Sequence, residues 1–322
     1  MNKIGYLLKV IILEILNGYT KLLLLFGKAS NLRVNKKAEC ELHIVVRHID
    51  IFIAINSINT FYLHSNLRIP LMIHCDQDVT SADLQILKSH LPFATIISKT
   101  EADKLMVKRL RKYKYCQSLR KRWQGIKLLD APLLAKTKKI IIIDSDMFFL
   151  GNLSDIAKWA SKPKSMNLFL KDYKHFSELS SAEFKEYLGF KRINYKFNSG
   201  ILCLNLNNYD LDLIEKTLNV IQDTLYERIR YDDDRWRIEY RHLVEQTAYI
   251  ALFSVTPSKP LSNKYILYPI VKNNFWNNNF SKFKAIHFTG EFPRYRIYHL
   301  ILKLRQPRMF KLFKFLNKFL PK

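Results

Sequence analysis

Residues 138–152 read KKIIIIDSDMFFLGN, and this stretch constrains the fold more than any other. The isoleucines from Ile140 to Ile143 leave no polar face, so the segment suits a strand buried on both sides of a parallel sheet. The run then ends in two carboxylates, Asp144 and Asp146, and apolar residues resume at once. A buried carboxylate without a partner is costly or takes up a proton, so the pair needs a cation or the open edge of a sheet. Residues i and i+2 share a face while the backbone stays extended, which lets both acids address one partner. Two hard oxygen donors together with phosphate oxygens suit Mn²⁺ or Mg²⁺.

The surrounding pattern supports a sheet edge. The chain has 322 residues, 48% of them hydrophobic, which is enough for one large domain with appendages. Segments 41–46 (ELHIVV), 70–75 (PLMIHC) and 94–98 (ATIIS) read as strands, with helices expected around Ile51–Tyr62 and from Ser81 onward. After the strand at 94–98 a long basic helical stretch is expected to about Ala135, ahead of the strand at 138–144. This alternation predicts an α/β fold, a Rossmann-like and mainly parallel sheet with helices on both faces. Ligands of such sheets bind beyond the carboxyl ends of the strands, where Asp144 and Asp146 stand. The absence of GxGxxG and Walker A patterns argues against a dinucleotide oxidoreductase or a P-loop enzyme.

The segment IIIIDSDMFFLGNLSDI resembles the nucleotide-sugar motif of GT-A glycosyltransferases, in particular the family 8 group that contains glycogenin and bacterial lipopolysaccharide sugar transferases. Three more segments fit that group in order: FNSGILCLNLNNY (197–209), VEQTAYIA (244–251) and AIHFTG (285–290). The resemblance implies a metal-dependent, retaining transfer from a UDP-sugar. It also implies Asp144, Asp146 and His287 as ligands of Mn²⁺ or Mg²⁺, with Asp144 also near the donor ribose. Asn198, Ser199 and Gly200 would form a turn lining the donor-sugar pocket. Glu245 would hold a sugar hydroxyl, and Gln246 would stabilise the charge that develops at the reacting carbon. Lys127 stands where the family more often has an arginine that reaches the donor; Arg47, after the first strand, is a looser candidate for the nucleotide, and Gly290 would be a further donor contact. The family's HxxGxxK pattern meets Pro293 in place of lysine, leaving Arg294 or Arg296 to supply the phosphate charge.

The net charge of +25 implies an anionic partner, whether nucleic acid, an acidic membrane or a phosphorylated substrate. The N-terminal segment 1–38 carries a helical pattern with Lys3, Lys9, Glu14, Asn17 and Lys21 on one side, and no uninterrupted apolar run long enough for a span. In 296–322, Arg308, Lys311, Lys314 and Lys318 oppose Leu312, Phe313, Leu316 and Phe319, a pattern suited to anionic headgroups. Residues 39–295 are therefore expected to form the catalytic domain between two amphipathic basic ends. The expected location is the cytoplasmic face of the membrane, acting on a glycan or lipid-linked acceptor for surface polysaccharide or lipopolysaccharide. The alternative is a nucleic-acid-binding protein or metal-dependent nucleic-acid enzyme, suggested by the charge and by RYDDDRWR (230–237) but with no accompanying nucleic-acid motif. Cys40, Cys75, Cys116 and Cys203 show no CxxC spacing and read as buried free thiols of a reducing compartment.

Overall fold

Ile140 to Ile143 lie in a central strand, each nearly inaccessible to water. The computed structural model describes residues 32–163, 166–194, 196–228, 243–268 and 280–289. Strands β1 (Cys40–Val46), β2 (Leu71–Cys75), β3 (Thr95–Ile97) and β4 (Lys139–Ile143) run parallel in the order β3-β2-β1-β4. Beyond β4 come β7 (Phe197–Asn205), β6 (Asn167–Lys171) and β8 (Ser258–Pro260), and β7 runs against the other six strands of this sheet. A smaller sheet has the order β5 (Met147–Phe149), β10 (Ala285–His287), β9 (Tyr265–Leu267).

Strand alternation divides the isoleucines between two cores. Ile141 and Ile143 join Leu42, Ile44 and helix α1 (Ile51–Ser65) on one face, whereas Ile140 and Ile142 join Leu202, Leu204 and Leu128 on the other. Ile51, Ile55, Ile58 and Phe61 follow helical spacing along the buried side of α1. Helices α2 (Ser81–His90) and α3 (Lys99–Arg109) each begin with a capping box, Thr80 with Asp83 and Ser98 with Glu101, which satisfies free amides at the first turn. All four cysteines are buried and free.

Two expectations are corrected. The basic segment after β3 is not one helix: α3 gives way to α4 (Lys114–Leu119), a short turn Trp123–Gly125, a π-helical turn Ile126–Asp130 and a turn Ala131–Leu134 with Pro132 as its second residue. A buried ion pair enforces the doubling back, with Arg120 Nε and Nη2 donating to the two oxygens of Asp130 at 2.6 and 2.7 Å. A carboxylate of α7 (Leu211–Arg228) holds the start of α4, because Tyr115 N and Cys116 N both donate to Glu215 at 2.9 Å. Asn198, Ser199 and Gly200 form no turn either. They lie inside β7 at a register shift against β6, where pairing jumps from Phe169–Leu202 to Leu170–Asn198.

Helices α5 (Ser154–Ser161), α6 (Ser181–Leu188) and α8 (Val244–Val255) complete the layers. Among the described residues no helix is long and apolar enough to cross a membrane. The segment 1–31, most of the amphipathic N-terminal pattern, lies outside the described residues, as do RYDDDRWR, Gly290, Arg294, Arg296 and the basic C-terminal segment.

Asp130 is fully buried and Arg120 nearly so, so removing the acid takes away two of the guanidinium's hydrogen bonds and leaves Asp103 as its remaining carboxylate partner. Asp130→Ala is expected to lower stability by about 3–5 kcal/mol, measured by urea unfolding. A change below about 1 kcal/mol would mean that the pair does not hold the doubled-back segment.

Candidate active site

The DSD segment is the crossing between the two sheets. After Ile143 the chain still pairs with β7, through Asp144 N donating to Gly200 O at 3.0 Å, and then turns, with Met147 N donating to Asp144 O at 3.3 Å. At Met147 it enters β5, directly opposite His287 of β10. The apolar residues after the acids are thus a second buried strand, and the crossing brings both carboxylates to the His287 ring. His287 Nε2 lies 3.3 Å from Asp144 Oδ2 and 3.0 Å from Asp146 Oδ1. The three residues offer ligand atoms that all lie within 4.8 Å of one another.

This donor set fits a hard divalent cation. Adjacent ligands of an octahedral ion with bonds of about 2.1 Å stand about 3 Å apart, close to the spacing of His287 Nε2 from each acid. The other ring nitrogen is engaged: His287 Nδ1 lies 2.8 Å from Asn198 Oδ1, an oxygen that also accepts from Gly200 N at 2.9 Å. Asn198 Nδ2 donates to Asp172 Oδ2 at 3.1 Å, which fixes the amide's orientation and so assigns the Nδ1 proton to the Asn198 bond. Gly200 is required by contact rather than by backbone angle, since a Cβ there would stand 2.4 Å from His287 Nδ1. Burial would push the His287 ring down, but Asp146 and Asp144 outweigh it and raise the imidazole to about 9.

Lys127 joins the rest of the site. It sits on the π-helical turn, whose carbonyls are taken up by Tyr249 OH donating to Lys127 O at 3.0 Å and Tyr209 OH donating to Leu128 O at 2.8 Å. Its ammonium, with the side chain 3% exposed, lies 2.6 Å from Asp144 Oδ1 and 3.3 Å from Glu245 Oε1. It also donates to Ser199 Oγ at 3.1 Å, and Ser199 Oγ donates to Glu245 Oε2 at 3.2 Å. Burial favours the neutral amine, but Asp144 and Glu245 hold Lys127 above the ordinary lysine value. Burial likewise opposes ionisation of Asp144, yet Lys127 and His287 prevail and hold it at about 2. The Glu245 carboxyl is pushed up by burial, with Lys127 pulling against it. Gln246 accepts from Ser199 N at 3.3 Å and donates to Phe176 O at 2.8 Å.

These groups line a cleft of about 630 Å³ at the carboxyl ends of β1 and β4. Arg47 borders it, bonded to Asp50 at 2.8 Å and stacked 5.1 Å from the centre of the Trp123 ring. Of the residues expected from sequence, Arg47, Lys127, Asp144, Asp146, Asn198, Ser199, Glu245, Gln246 and His287 line this one cleft, and Gly200 packs behind His287. Glu245 and Gln246 are buried at the start of α8 rather than on a solvated face. Sequence reasoning missed Asp172 and Trp123. Asp172 follows the apolar strand NLFLK as Asp144 follows IIII, a signal that could have marked it, whereas nothing local distinguishes Trp123.

Comparison with known proteins bears on this arrangement. The bifunctional glycosyltransferase WbbM, in its apo structure, is 14% identical with a TM-score of 0.51, covering 80% of this chain and 47% of that one. The present chain thus spans about half of that protein. The galactosyltransferase LgtC, in complex with donor and acceptor sugar analogues, is 11% identical with a TM-score of 0.47 over 78% of this chain and 87% of that one. Mouse xyloside xylosyltransferase 1, also in an apo form, is 12% identical with a TM-score of 0.47, covering 78% and 97% of the two chains. At 14% identity the likeness to WbbM bears on the fold alone, the mainly parallel, helix-flanked α/β fold of GT-A glycosyltransferases. No curated protein is significantly similar in sequence. The model of the family described as "Glycosyl transferase family 8" matches residues 10–292, most of the chain, so this protein belongs to that family and is a glycosyltransferase.

Proposed function

We propose that this enzyme moves a sugar from a UDP-sugar to a glycan or lipid-linked acceptor, with retention at the anomeric carbon and hence an α-linkage from a UDP-α-sugar. The observation that carries this reading is the Asp144, Asp146 and His287 cluster in a cleft at the carboxyl ends of parallel strands. A Mn²⁺ or Mg²⁺ ion held by these three side chains would supply the charge that stabilises the departing diphosphate. Asn198 keeps His287 Nε2 turned toward the two acids by accepting the proton of Nδ1.

The remaining roles follow from position. Lys127 is a positioning residue, its ammonium locking Asp144 and Glu245 into one geometry. Asn198 and Ser199 face the donor sugar, and Gly200 leaves the room that His287 occupies. Glu245 holds a sugar hydroxyl, while Gln246, fixed by Phe176 and Ser199, turns its amide toward the developing positive charge. Arg47 serves the nucleotide end of the cleft, and Gly290 and Arg294, outside the described residues, serve the diphosphate. In this reading residues 39–295 are the catalytic domain. Segments 1–38 and 296–322 rest on the cytoplasmic face of an anionic membrane, where surface polysaccharide or lipopolysaccharide precursors are extended.

Calorimetric titration with UDP is expected to show binding that strengthens with Mn²⁺ and loses that Mn²⁺-dependent gain in Asp146→Ala. Parent protein that ignores UDP at every Mn²⁺ concentration would sink the reading. Gly200→Ala pushes a methyl into the His287 ring and is expected to weaken Mn²⁺ affinity by about 10–100-fold, at a stability cost of about 1–3 kcal/mol. Unaltered Mn²⁺ affinity in a folded Gly200→Ala protein would contradict the assignment of His287. Deleting residues 306–322 should weaken attachment to anionic vesicles and leave UDP binding intact; equal attachment after deletion would remove that segment from the membrane assignment.

A further inference from the structure

We propose that Tyr173 and Phe176, on the loop after β6, form an aromatic wall that takes the acceptor as a pyranose ring and so determines which acceptors this transferase uses. The inference rests on the donor reading above and adds the class of acceptor: the sugar end of a glycan rather than a lipid phosphate. Strand order gives the cleft a direction. Arg47 follows β1, one strand to one side of β4, whereas Asp172 follows β6, two strands to the other side and about 10 Å from β4. Asp144 and Asp146 stand between them at the end of β4. With the diphosphate at these acids and the nucleoside toward Arg47, the sugar and the group that receives it lie toward Asp172.

Burial separates donor from acceptor on that side. Asn198, Ser199, Glu245 and Gln246 are buried and make the floor, where a sugar tied to the diphosphate must rest. Tyr173 lines the same cleft at 40% exposure, so it stands at the mouth, and half-buried Phe176 lines it too. The two rings meet edge to face, with centroids 5.8 Å apart and planes at 74°, which makes a corner rather than a flat patch. The backbone of the loop is tied down: Tyr173 N donates to Asp172 Oδ1 at 2.7 Å, Gln246 Nε2 donates to Phe176 O at 2.8 Å, and Glu178 N donates to Thr247 Oγ1 at 2.8 Å. The wall is thereby joined to Gln246, the residue assigned to the reacting carbon. An aromatic face is electron-rich and the C–H groups on one face of a pyranose are slightly positive, so ring stacks on ring while the hydroxyls at the sugar's edge stay free. A phosphate suits this end poorly. Asp172 stands beside the wall in the cleft lining, and Lys174, 5.9 Å from the centre of the Tyr173 ring, does not line the cleft.

The test is saturation-transfer NMR on the full chain with Mn²⁺ and UDP, using a panel of methyl α- and β-hexopyranosides, and glycerol 3-phosphate as a phosphate probe without a ring. Tyr173→Ala removes the exposed ring and Tyr173→Phe keeps it without the hydroxyl. Thermal melts and Mn²⁺-dependent UDP binding report whether each variant is folded and competent, and both should match the parent. At least one glycoside is expected to be saturated by the parent, most strongly at the hydrogens of one ring face. Its affinity should fall roughly tenfold in Tyr173→Ala and stay within about twofold of the parent in Tyr173→Phe. No response from any glycoside overturns the inference, as does a response that survives Tyr173→Ala or is lost in Tyr173→Phe. A response from glycerol 3-phosphate alone also overturns it and assigns this end to a phosphate acceptor. Weaker binding of UDP-glucose or UDP-galactose to Tyr173→Ala, with UDP binding unchanged, overturns it and assigns the wall to the donor sugar. UDP binding is read separately, so a parent blind to UDP sinks the donor reading, whereas UDP binding without a glycoside response sinks the aromatic wall alone.

Discussion

An ammonium group held almost entirely out of water organises the centre of this enzyme. Desolvating Lys127 costs several kcal/mol, and the cost is offset only where acceptors surround the charge closely. Four elements supply that surrounding: the π-helical turn carries the lysine, the end of β4 brings Asp144, the irregular stretch of β7 brings Ser199, and the start of α8 brings Glu245. None of these elements can shift alone without stranding a buried charge. The irregularities of the fold, a π turn and a strand register shift, fall where this convergence needs them.

The second constraint is the passage of one chain segment between two sheets. Had β4 simply ended in a loop, Asp144 and Asp146 would have faced solvent with free choice of rotamer. Instead Phe288 N donates to Asp146 O at 3.1 Å and β5 pairs with β10, so the turn is held at both ends. The apolar residues on either side of DSD are the means by which two carboxylates are kept at fixed separation from His287. A candidate cation site built this way has its geometry supplied by sheet packing, which is stiffer than any loop.

Much of this was legible in the sequence because it rests on local pattern. The isoleucine run, the alternation of strand and helix signals and the acids at the strand end all depend on neighbours in the chain, and the structure agrees with them. The single long helix expected before β4 failed because helical composition says nothing about Arg120 closing on Asp130, a pairing made by folding back. The turn expected at Asn198-Ser199-Gly200 failed for a related reason. Asn and Gly favour turns, yet here the glycine answers to the His287 ring, from a strand 87 residues away in sequence. Asp172 escaped notice because its partner is Asn198, again a contact that only the sheet creates.

A lysine rather than an arginine at position 127 gains meaning from the geometry. A lysine ammonium has three donors and a compact charge, while a guanidinium has five donors in a planar fork. Lys127 has three acceptors within 3.3 Å, all from the protein itself: Asp144, Ser199 and Glu245. An arginine could bond one of these carboxylates bidentately and direct its other edge outward, whereas the compact lysine ammonium sits as a point charge between the two buried anions. Lys127 therefore bears on the cleft through the two carboxylates it holds, Asp144 and Glu245. Among the described residues lining the cleft, Arg47 adds a second cation, held at its rim by Asp50 and Trp123.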